Sequence, residues 1–238
     1  MNHLNSFDEG VISYLNQFVR KSWLFDQLVA FVSSNNLLKG GIFMVIVWWA
    51  WFRTEGRHSG RREHIIATLL SCIAALALAR VLALALPFRH RPVHEKSLDL
   101  VLAYGMAPTT LDGYSAFPSD HAVLFFCLAM GLLFISRMLG LMALAYVLVF
   151  IALPRMYLGL HYPTDIAAGA MLGMTAAFMA NRYLARTRSI AAAVNFSHVK
   201  PSFFYPLFFL MTYQIADMFD SSRVLVSGFF KTLQRIVS

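Results

Sequence analysis

Long apolar stretches separated by short polar segments make up most of this chain. Several stretches approach the roughly 20 residues that an α-helix needs to cross the hydrocarbon core of a bilayer. A helix satisfies its backbone hydrogen bonds internally, so stretches of this length favour helical membrane spans. The pattern predicts an all-α fold: a polytopic membrane protein built as a six-transmembrane-helix bundle. The predicted spans are residues 36–53, 63–87, 121–137, 139–156, 163–182 and 202–219.

Two further segments flank the predicted bundle. Residues 6–20 place apolar side chains on one helical face and begin with the capping-box pattern Ser6-x-x-Glu9, which predicts an interfacial helix. Residues 24–32 are too short to span alone and would lie in the interface or join a tilted segment. The predicted parts are an N-terminal interfacial segment, a transmembrane domain with its motifs within 63–185, and a short basic amphipathic tail: residues 1–35, 36–219 and 220–238.

Composition supports membrane insertion and argues against nucleic-acid binding. The 238 residues are 58% hydrophobic and 13% charged, whereas soluble domains have about a quarter charged residues. The net charge is +8, but most arginines fall in loops on one side of the predicted spans, the pattern of cytoplasmic loops. These arginines are Arg53, Arg57, Arg61, Arg62, Arg137, Arg182, Arg186 and Arg188. The N-terminal residues also lack the pattern of a removable signal peptide, so none is expected.

Small residues inside the spans predict how the helices pack. Gly169 and Gly173 are four residues apart, a spacing that lets two helix backbones approach closely. Cys72 and Cys127 fall within apolar stretches, and we interpret them as small hydrophobic residues and not as a disulfide or metal ligands.

One motif, Arg155-x5-His161-x3-Asp165, has the residues of a histidine nucleophile. Pro163 suits the first turn of a helix, which places Asp165 one turn inside it. We expect Asp165 to accept a hydrogen bond from one imidazole nitrogen of His161, leaving the other nitrogen free to attack. Arg155 would hold a phosphate oxygen.

A second motif, Pro118-Ser119-Asp120-His121, begins the span predicted near residue 121. Free backbone N–H groups at a helix start bind anions, and Ser119 would add a hydroxyl donor. His121 would donate a proton to a leaving oxygen at neutral pH. A lone histidine at a helix end is most often structural, and arginines at span edges usually mark topology. The occurrence of both motifs at one predicted membrane face favours the functional interpretation.

These motifs resemble those of the type 2 phosphatidic acid phosphatase superfamily, Lys-x6-Arg-Pro, Pro-Ser-Gly-His and Ser-Arg-x5-His-x3-Asp, over about residues 63–185. The resemblance implies a six-helix bundle with its site at the outer membrane face and hydrolysis through a phosphohistidine, with no metal or other cofactor. It implies His161 as nucleophile, His121 as general acid and Asp165 as the residue that orients His161. Phosphate would be bound by Arg91, Ser119 and Arg155.

The chain departs from the family pattern at three positions. The lysine expected seven residues before Arg91 is Leu84, and either Arg80 or Arg89 would replace it in binding phosphate. The glycine of the second motif is Asp120, a variant similar to that of bacterial undecaprenyl pyrophosphatases, and we count Asp120 among the phosphate-binding residues. The serine before Arg155 is Pro154, which removes one hydroxyl donor.

The resemblance implies hydrolysis of a lipid phosphate or pyrophosphate, foremost undecaprenyl pyrophosphate to undecaprenyl phosphate. Alternatives are a broader phosphatase of phosphatidic acid, phosphatidylglycerol phosphate or lipid A, and a non-catalytic lipid-binding or transport protein on the same scaffold. The expected location is the bacterial inner membrane, with the site facing the periplasm. Expected partners are the substrate and membrane lipids, with no nucleic acid, and the oligomeric state stays open.

Overall fold

A computed structural model describes residues 5–53 and 60–237, and these residues form helices, turns and loops without a β-strand. Residues 1–4, residues 54–59 with Arg57 of the basic loop, and Ser238 lie outside the described residues. The α-helices are α1 (Ser6–Asn16), α2 (Trp23–Ser34), α3 (Ile42–Phe52), α4 (Arg61–Ala85), α5 (Asp120–Ile135), α6 (Arg137–Val147), α7 (Leu153–Tyr157), α8 (Pro163–Arg182), α9 (Arg188–Val199), α10 (Pro201–Ala216) and α11 (Asp220–Val237). Short turns of 3₁₀-helix occur at Pro92–His94, Lys96–Leu98 and Leu184–Arg186, and π-helical turns at Leu37–Gly41 and Leu148–Ala152.

Each predicted span corresponds to a helix, but not every helix is long and apolar enough to cross a bilayer. Within the described ranges, α4 and the continuous helix Arg137–Tyr157 meet that requirement. A third span results if α2 and the helix Leu37–Phe52 are counted together across their 63° bend. The helices α5 and α10 have only 16 residues each. The structure thus supports two or three spans, and the number six stays a prediction.

The centre of the fold is α5, which packs between α4 and α8. A Cβ on Gly169 would lie 2.7 Å from the carbonyl oxygen of Ser119, and one on Gly173 would overlap the carbonyl of Val123. The predicted close approach is therefore confirmed: the α8 backbone lies directly against the first turns of α5. Cys72 and Cys127 are free and buried between α4 and α5, as expected of small hydrophobic residues.

The N-terminal helix α1 packs against the bundle through more than its apolar face. Ile12 is buried as predicted, but so is Asp8, which accepts hydrogen bonds from the backbone N–H and the hydroxyl of Thr164 at 3.0 and 2.5 Å. The expected capping box is wrong, because Asn5 and not Ser6 is the N-cap and its side chain accepts from the Phe7 N–H. Thus α1 is attached to the start of α8, next to the motif residues.

Candidate active site

A cavity of about 620 Å³ brings together residues from all three motifs. Its wall includes Arg91 from the long loop, His121 at the start of α5, Arg155 in α7 and His161 before α8. Besides Tyr114, the ionisable groups on the wall are Lys39, Arg80, Arg91, Asp120, His121, Arg155, His161, Asp220 and Arg223. The last two belong to α11, the predicted basic tail, so that segment forms part of the cavity.

His161 is buried, with 3% of its surface exposed, and its two ring nitrogens have different partners. Nδ1 lies 2.9 Å from the carbonyl oxygen of Ala116, which can only accept a hydrogen bond. The proton therefore sits on Nδ1, and Nε2 carries a lone pair that accepts a hydrogen bond from Arg91. Nε2 lies at 3.1 Å from Nη1 of Arg91, beside the position that an anion bound to Arg91 would occupy.

Asp165 does not accept the hydrogen bond expected from His161. Its Oδ2 lies 3.7 Å from Nδ1 of His161 and instead accepts from the backbone N–H of Tyr162 at 2.8 Å. Its Oδ1 accepts from Arg89 at 2.5 Å. The reason is geometric, since Asp165 caps its own helix and the Ala116 carbonyl occupies the donor side of the ring. Asp165 therefore lies 3.7 Å from the His161 ring without a hydrogen bond to it.

The environment of His161 keeps the ring neutral. Burial is the main cause that lowers the pKa of His161 well below its usual value, and the positive charges of Arg91 and Arg155 lower it further. Burial also lowers the pKa of Arg91, to about 10, so that this guanidinium is still charged at neutral pH. A neutral ring beside a cation is the state required for attack on a bound anion.

We expect the acid limb of kcat/KM to lie below about pH 6.5, where an exposed histidine titrates. Because the pKa of His161 is lowered, the nucleophile loses its lone pair only as the pH falls through that lower value. A pH profile of kcat/KM on a lipid diphosphate would measure this limb. A limb centred above about pH 7 would contradict a neutral, desolvated His161.

His121 lies across the cavity with its Nε2 facing two cations. Nη2 of Arg155 is 2.5 Å from this nitrogen, and Nζ of Lys39 is 3.5 Å from it. Both groups are donors, so Nε2 of His121 is an acceptor in this arrangement. A bound phosphate would draw both cations to its oxygens and leave Nε2 free to hold a proton.

Three buried cations on the cavity wall have no carboxylate partner. Lys39, Arg91 and Arg155 are 5%, 6% and 6% exposed. Among residues 5–53 and 60–237, no Asp or Glu oxygen lies within ion-pair distance of any of the three. The Nε atoms of both arginines also have no hydrogen-bond partner within the described ranges. Unpaired buried charge is costly, so this arrangement favours an anionic ligand.

The other predicted phosphate-binding residues are placed differently. Arg80, near the end of α4, forms an ion pair with Asp120, and both line the cavity. Arg89 does not line it; its guanidinium binds Asp8 at 2.7 Å and Asp165 at 2.5 Å and lies over the Tyr162 ring. This placement favours Arg80 over Arg89 as the substitute for the missing lysine.

Ser119 is fully buried as the N-cap of α5, and its hydroxyl accepts from the Ala122 N–H at 3.5 Å. Unlike its neighbours Pro118 and Asp120, it is not part of the cavity wall. The structure thus gives Ser119 a capping role, and the hydroxyl donor expected from it does not face the cavity.

The sequence did not single out Lys39, Asp8 or Ala116 as site residues. Lys39 could have been identified from the sequence, because an ionisable residue within an apolar stretch indicates a functional site. Asp8 lies within the segment that the sequence pattern predicted as a capping box. Nothing in that pattern indicated its contact with Thr164, 156 residues away. Ala116 acts through its backbone carbonyl, for which sequence gives no signal.

Known proteins are similar to parts of this chain. BcrC of Bacillus licheniformis, named a bacitracin transport permease protein, is 41% identical over 64 residues, 26% of this chain and 30% of that protein. YbjG of Escherichia coli (strain K12), provisionally named an undecaprenyl-diphosphatase, is 29% identical over 131 residues, 55% of this chain and 60% of YbjG. Less than two thirds of either relative is therefore covered.

A third relative, the lipid A 1-diphosphate synthase of Escherichia coli (strain K12), is 26% identical over 172 residues, 69% of this chain and 70% of that protein. No solved structure matches the chain significantly. Residues 66–189, a little over half of the chain, match the PAP2 superfamily. This match confirms the resemblance to the type 2 phosphatases. The chain belongs to the PAP2 superfamily.

Proposed function

We propose that this protein is a lipid phosphatase that forms a phosphohistidine on His161. The supporting observation is the cavity in which two histidines each face buried cations without carboxylate partners. His161 turns its unprotonated Nε2 toward Arg91, and His121 lies beside Arg155 on the same cavity wall. Membership of the PAP2 superfamily agrees with this chemistry.

In the proposed first step, Nε2 of His161 attacks phosphorus while Arg91 and Arg155 bind the non-bridging oxygens. The P–N bond forms as the bond to the bridging oxygen breaks, and His121 donates its proton to that oxygen. In the second step, His121 removes a proton from water, and the resulting hydroxide attacks the phosphohistidine. The P–N bond breaks, inorganic phosphate leaves, and His161 regains its lone pair. The charges on the cavity wall stabilise the transferred group throughout.

We propose undecaprenyl diphosphate as the foremost substrate, cleaved to undecaprenyl phosphate and inorganic phosphate. The name of YbjG and the number of buried cations support a diphosphate. Phosphatidic acid represents the broader lipid phosphatases, and the helices facing lipid do not distinguish isoprenoid from acyl tails.

The test is phosphate release by the purified protein from undecaprenyl diphosphate and from phosphatidic acid, with a metal chelator present. We expect release from the diphosphate at a kcat/KM at least tenfold higher. Equal rates would instead support a broad lipid phosphatase. No release from any lipid phosphate would leave the non-catalytic lipid-binding protein as the better account.

We expect Arg80→Ala to lower kcat/KM by more than about tenfold, because it removes a cation from the cavity mouth. Arg80→Lys should partly restore activity, since it keeps the charge. Arg89→Ala should mainly lower thermal stability, because it leaves two buried carboxylates, Asp8 and Asp165, without their cation. The exposed Arg137, at the start of α6, offers a matched control in Arg137→Ala. Near-wild-type kcat/KM for Arg80→Ala would contradict this assignment.

We propose that the cavity opens toward the outside of the cell. Along α4, Arg80 lies 19 residues after Arg61, or about 28 Å at the rise of an α-helix, close to the thickness of a hydrocarbon core. The cavity and the arginine-rich loop therefore lie near opposite ends of one helix, and the positive-inside rule places that loop in the cytoplasm.

A cysteine at the exposed position Ser97 should test this orientation. In a background without Cys72 and Cys127, we expect Ser97→Cys to react with an impermeant thiol reagent in intact spheroplasts. Labelling only after lysis would reverse the topology.

A further inference from the structure

Lys39 lies outside the region that matches the PAP2 superfamily, yet its side chain reaches the cavity. It belongs to the π-helical turn Leu37–Gly41, at the bend between α2 and α3. The residue is 5% exposed, and its Nζ lies 3.5 Å from Nε2 of His121.

The turn that bears Lys39 is held in place from two sides. A Cβ on Gly40 would overlap the backbone of Ala216, so this turn lies directly against the end of α10. The hydroxyl of Tyr146, on α6, donates to the Leu38 carbonyl at 2.6 Å. The lysine therefore extends from a fixed backbone position, which is what selective contact with one part of a substrate requires.

Lys39 has no counter-charge within 4 Å in the part of the chain that the structure describes. Its neighbour at His121 is a second cation, Arg155. A buried ammonium beside another cation is costly without a bound anion. Asp217 and Asp220 act on Lys39 only from beyond ion-pair distance, so a bound anion would be its direct counter-charge.

The cations divide between the two sides of the proposed reaction. Arg91 lies 3.1 Å from Nε2 of His161, the atom that would attack phosphorus. Lys39 and Arg155 both lie beside Nε2 of His121, the atom that would protonate the leaving oxygen, and the charge of Arg155 also acts on His161. Lys39 is therefore the cation specific to the leaving-group side. A charge at that position acts on the leaving group more than on the transferred phosphoryl group, because Coulomb energies fall with distance.

We propose that Lys39 binds the second phosphate of a lipid diphosphate and gives the enzyme its preference for diphosphates over monophosphates; this inference rests on the proposed function. When a diphosphate is cleaved, the leaving group is a lipid phosphate with its own anionic oxygens. When a monophosphate is cleaved, the leaving group is an alcohol without such oxygens. A cation at Lys39 therefore stabilises the transition state of the first reaction more than that of the second.

The test compares Lys39→Met and Lys39→Arg with the wild type on farnesyl diphosphate and farnesyl monophosphate in detergent micelles. Because the tails are identical, the ratio of the two kcat/KM values reports only the second phosphate. Loss of folded protein lowers both values equally and leaves the ratio unchanged. We expect Lys39→Met to lower the ratio by about tenfold or more, and Lys39→Arg to return it to within about threefold of wild type.

Arg223→Met is the matched control, because Arg223 also lines the cavity but is paired with Asp220. We expect this variant to keep the wild-type ratio. An equal fall in both variants would show that the ratio follows the total charge of the cavity, and would overturn a specific role for Lys39. The inhibition constants of inorganic pyrophosphate and phosphate provide a second ratio: Lys39→Met should raise the constant of pyrophosphate relative to that of phosphate.

The outcomes separate the two proposals. If wild-type protein hydrolyses both substrates and Lys39→Met lowers both equally, the role of Lys39 is wrong while the proposed function stands. If wild-type protein hydrolyses neither substrate, nor any other lipid phosphate, the proposed function fails and the role of Lys39 fails with it.

Discussion

His161→Ala should reduce turnover by about 10⁴-fold or more, the size of loss seen when a nucleophile that acts within a catalytic unit is removed. The ring is held by the Ala116 carbonyl, and its unprotonated nitrogen lies beside Arg91. Alanine supplies no atom that could attack from this position. Steady-state phosphate release from a lipid diphosphate would measure the loss.

The exposed His90 provides a control in the same loop as Arg91. His90→Ala should stay within about twofold of wild type, as is usual for surface substitutions away from a site. In detergent, both variants should have the elution volume and the melting temperature of the wild type. Residual activity of His161→Ala above about a tenth of wild type would exclude it as the nucleophile.

Asp165→Asn should lower kcat by roughly 10²–10⁴-fold, by analogy with other carboxylates that act on a catalytic histidine. The structure changes the reason for this expectation, because the Ala116 carbonyl and not Asp165 fixes the tautomer. When phosphorus bonds to Nε2, the His161 ring gains positive charge 3.7 Å from the Asp165 carboxylate. An amide keeps the hydrogen bond to Tyr162 but supplies no negative charge to that ring.

Asp8→Asn separates this electrostatic effect from packing. Asp8 shares Arg89 with Asp165 and is equally buried, but it bonds Thr164 and forms no ion pair with His161, whereas Asp165 lies 3.7 Å from that ring. We expect it to lower the melting temperature while kcat falls by less than about tenfold. Comparable losses of kcat in both variants would show that Asp165 matters for packing alone.

Sequence predicted those parts of the site that local patterns encode. The helices begin near the predicted positions, because proline at residue 163 and the Ser119 cap favour helix starts there. Close packing of α8 against another helix followed from Gly169 and Gly173, since only small residues allow it, but the identity of that helix as α5 did not. The convergence of Arg91, His121, Arg155 and His161 on one cavity followed from their motifs.

What sequence could not predict depends on contacts between distant segments. The carbonyl of Ala116 orients His161 only because the long loop folds back over the start of α8. Lys39 reaches His121 across 82 residues because α2 and α3 are bent by 63° at its turn. Sequence alone does not distinguish Arg89 from Arg80 as a phosphate-binding residue, because the partners of Arg89, Asp8 and Asp165, lie far from it in the chain.

The central claim is covalent catalysis by His161, and trapping the intermediate tests it most directly. Wild-type protein would be mixed with lipid diphosphate radiolabelled in its terminal phosphate, quenched within one turnover and digested. The account predicts an acid-labile, alkali-stable label on the peptide that contains His161, formed and lost at rates compatible with kcat. A label on another residue, or rapid phosphate release with no labelled protein, would contradict it.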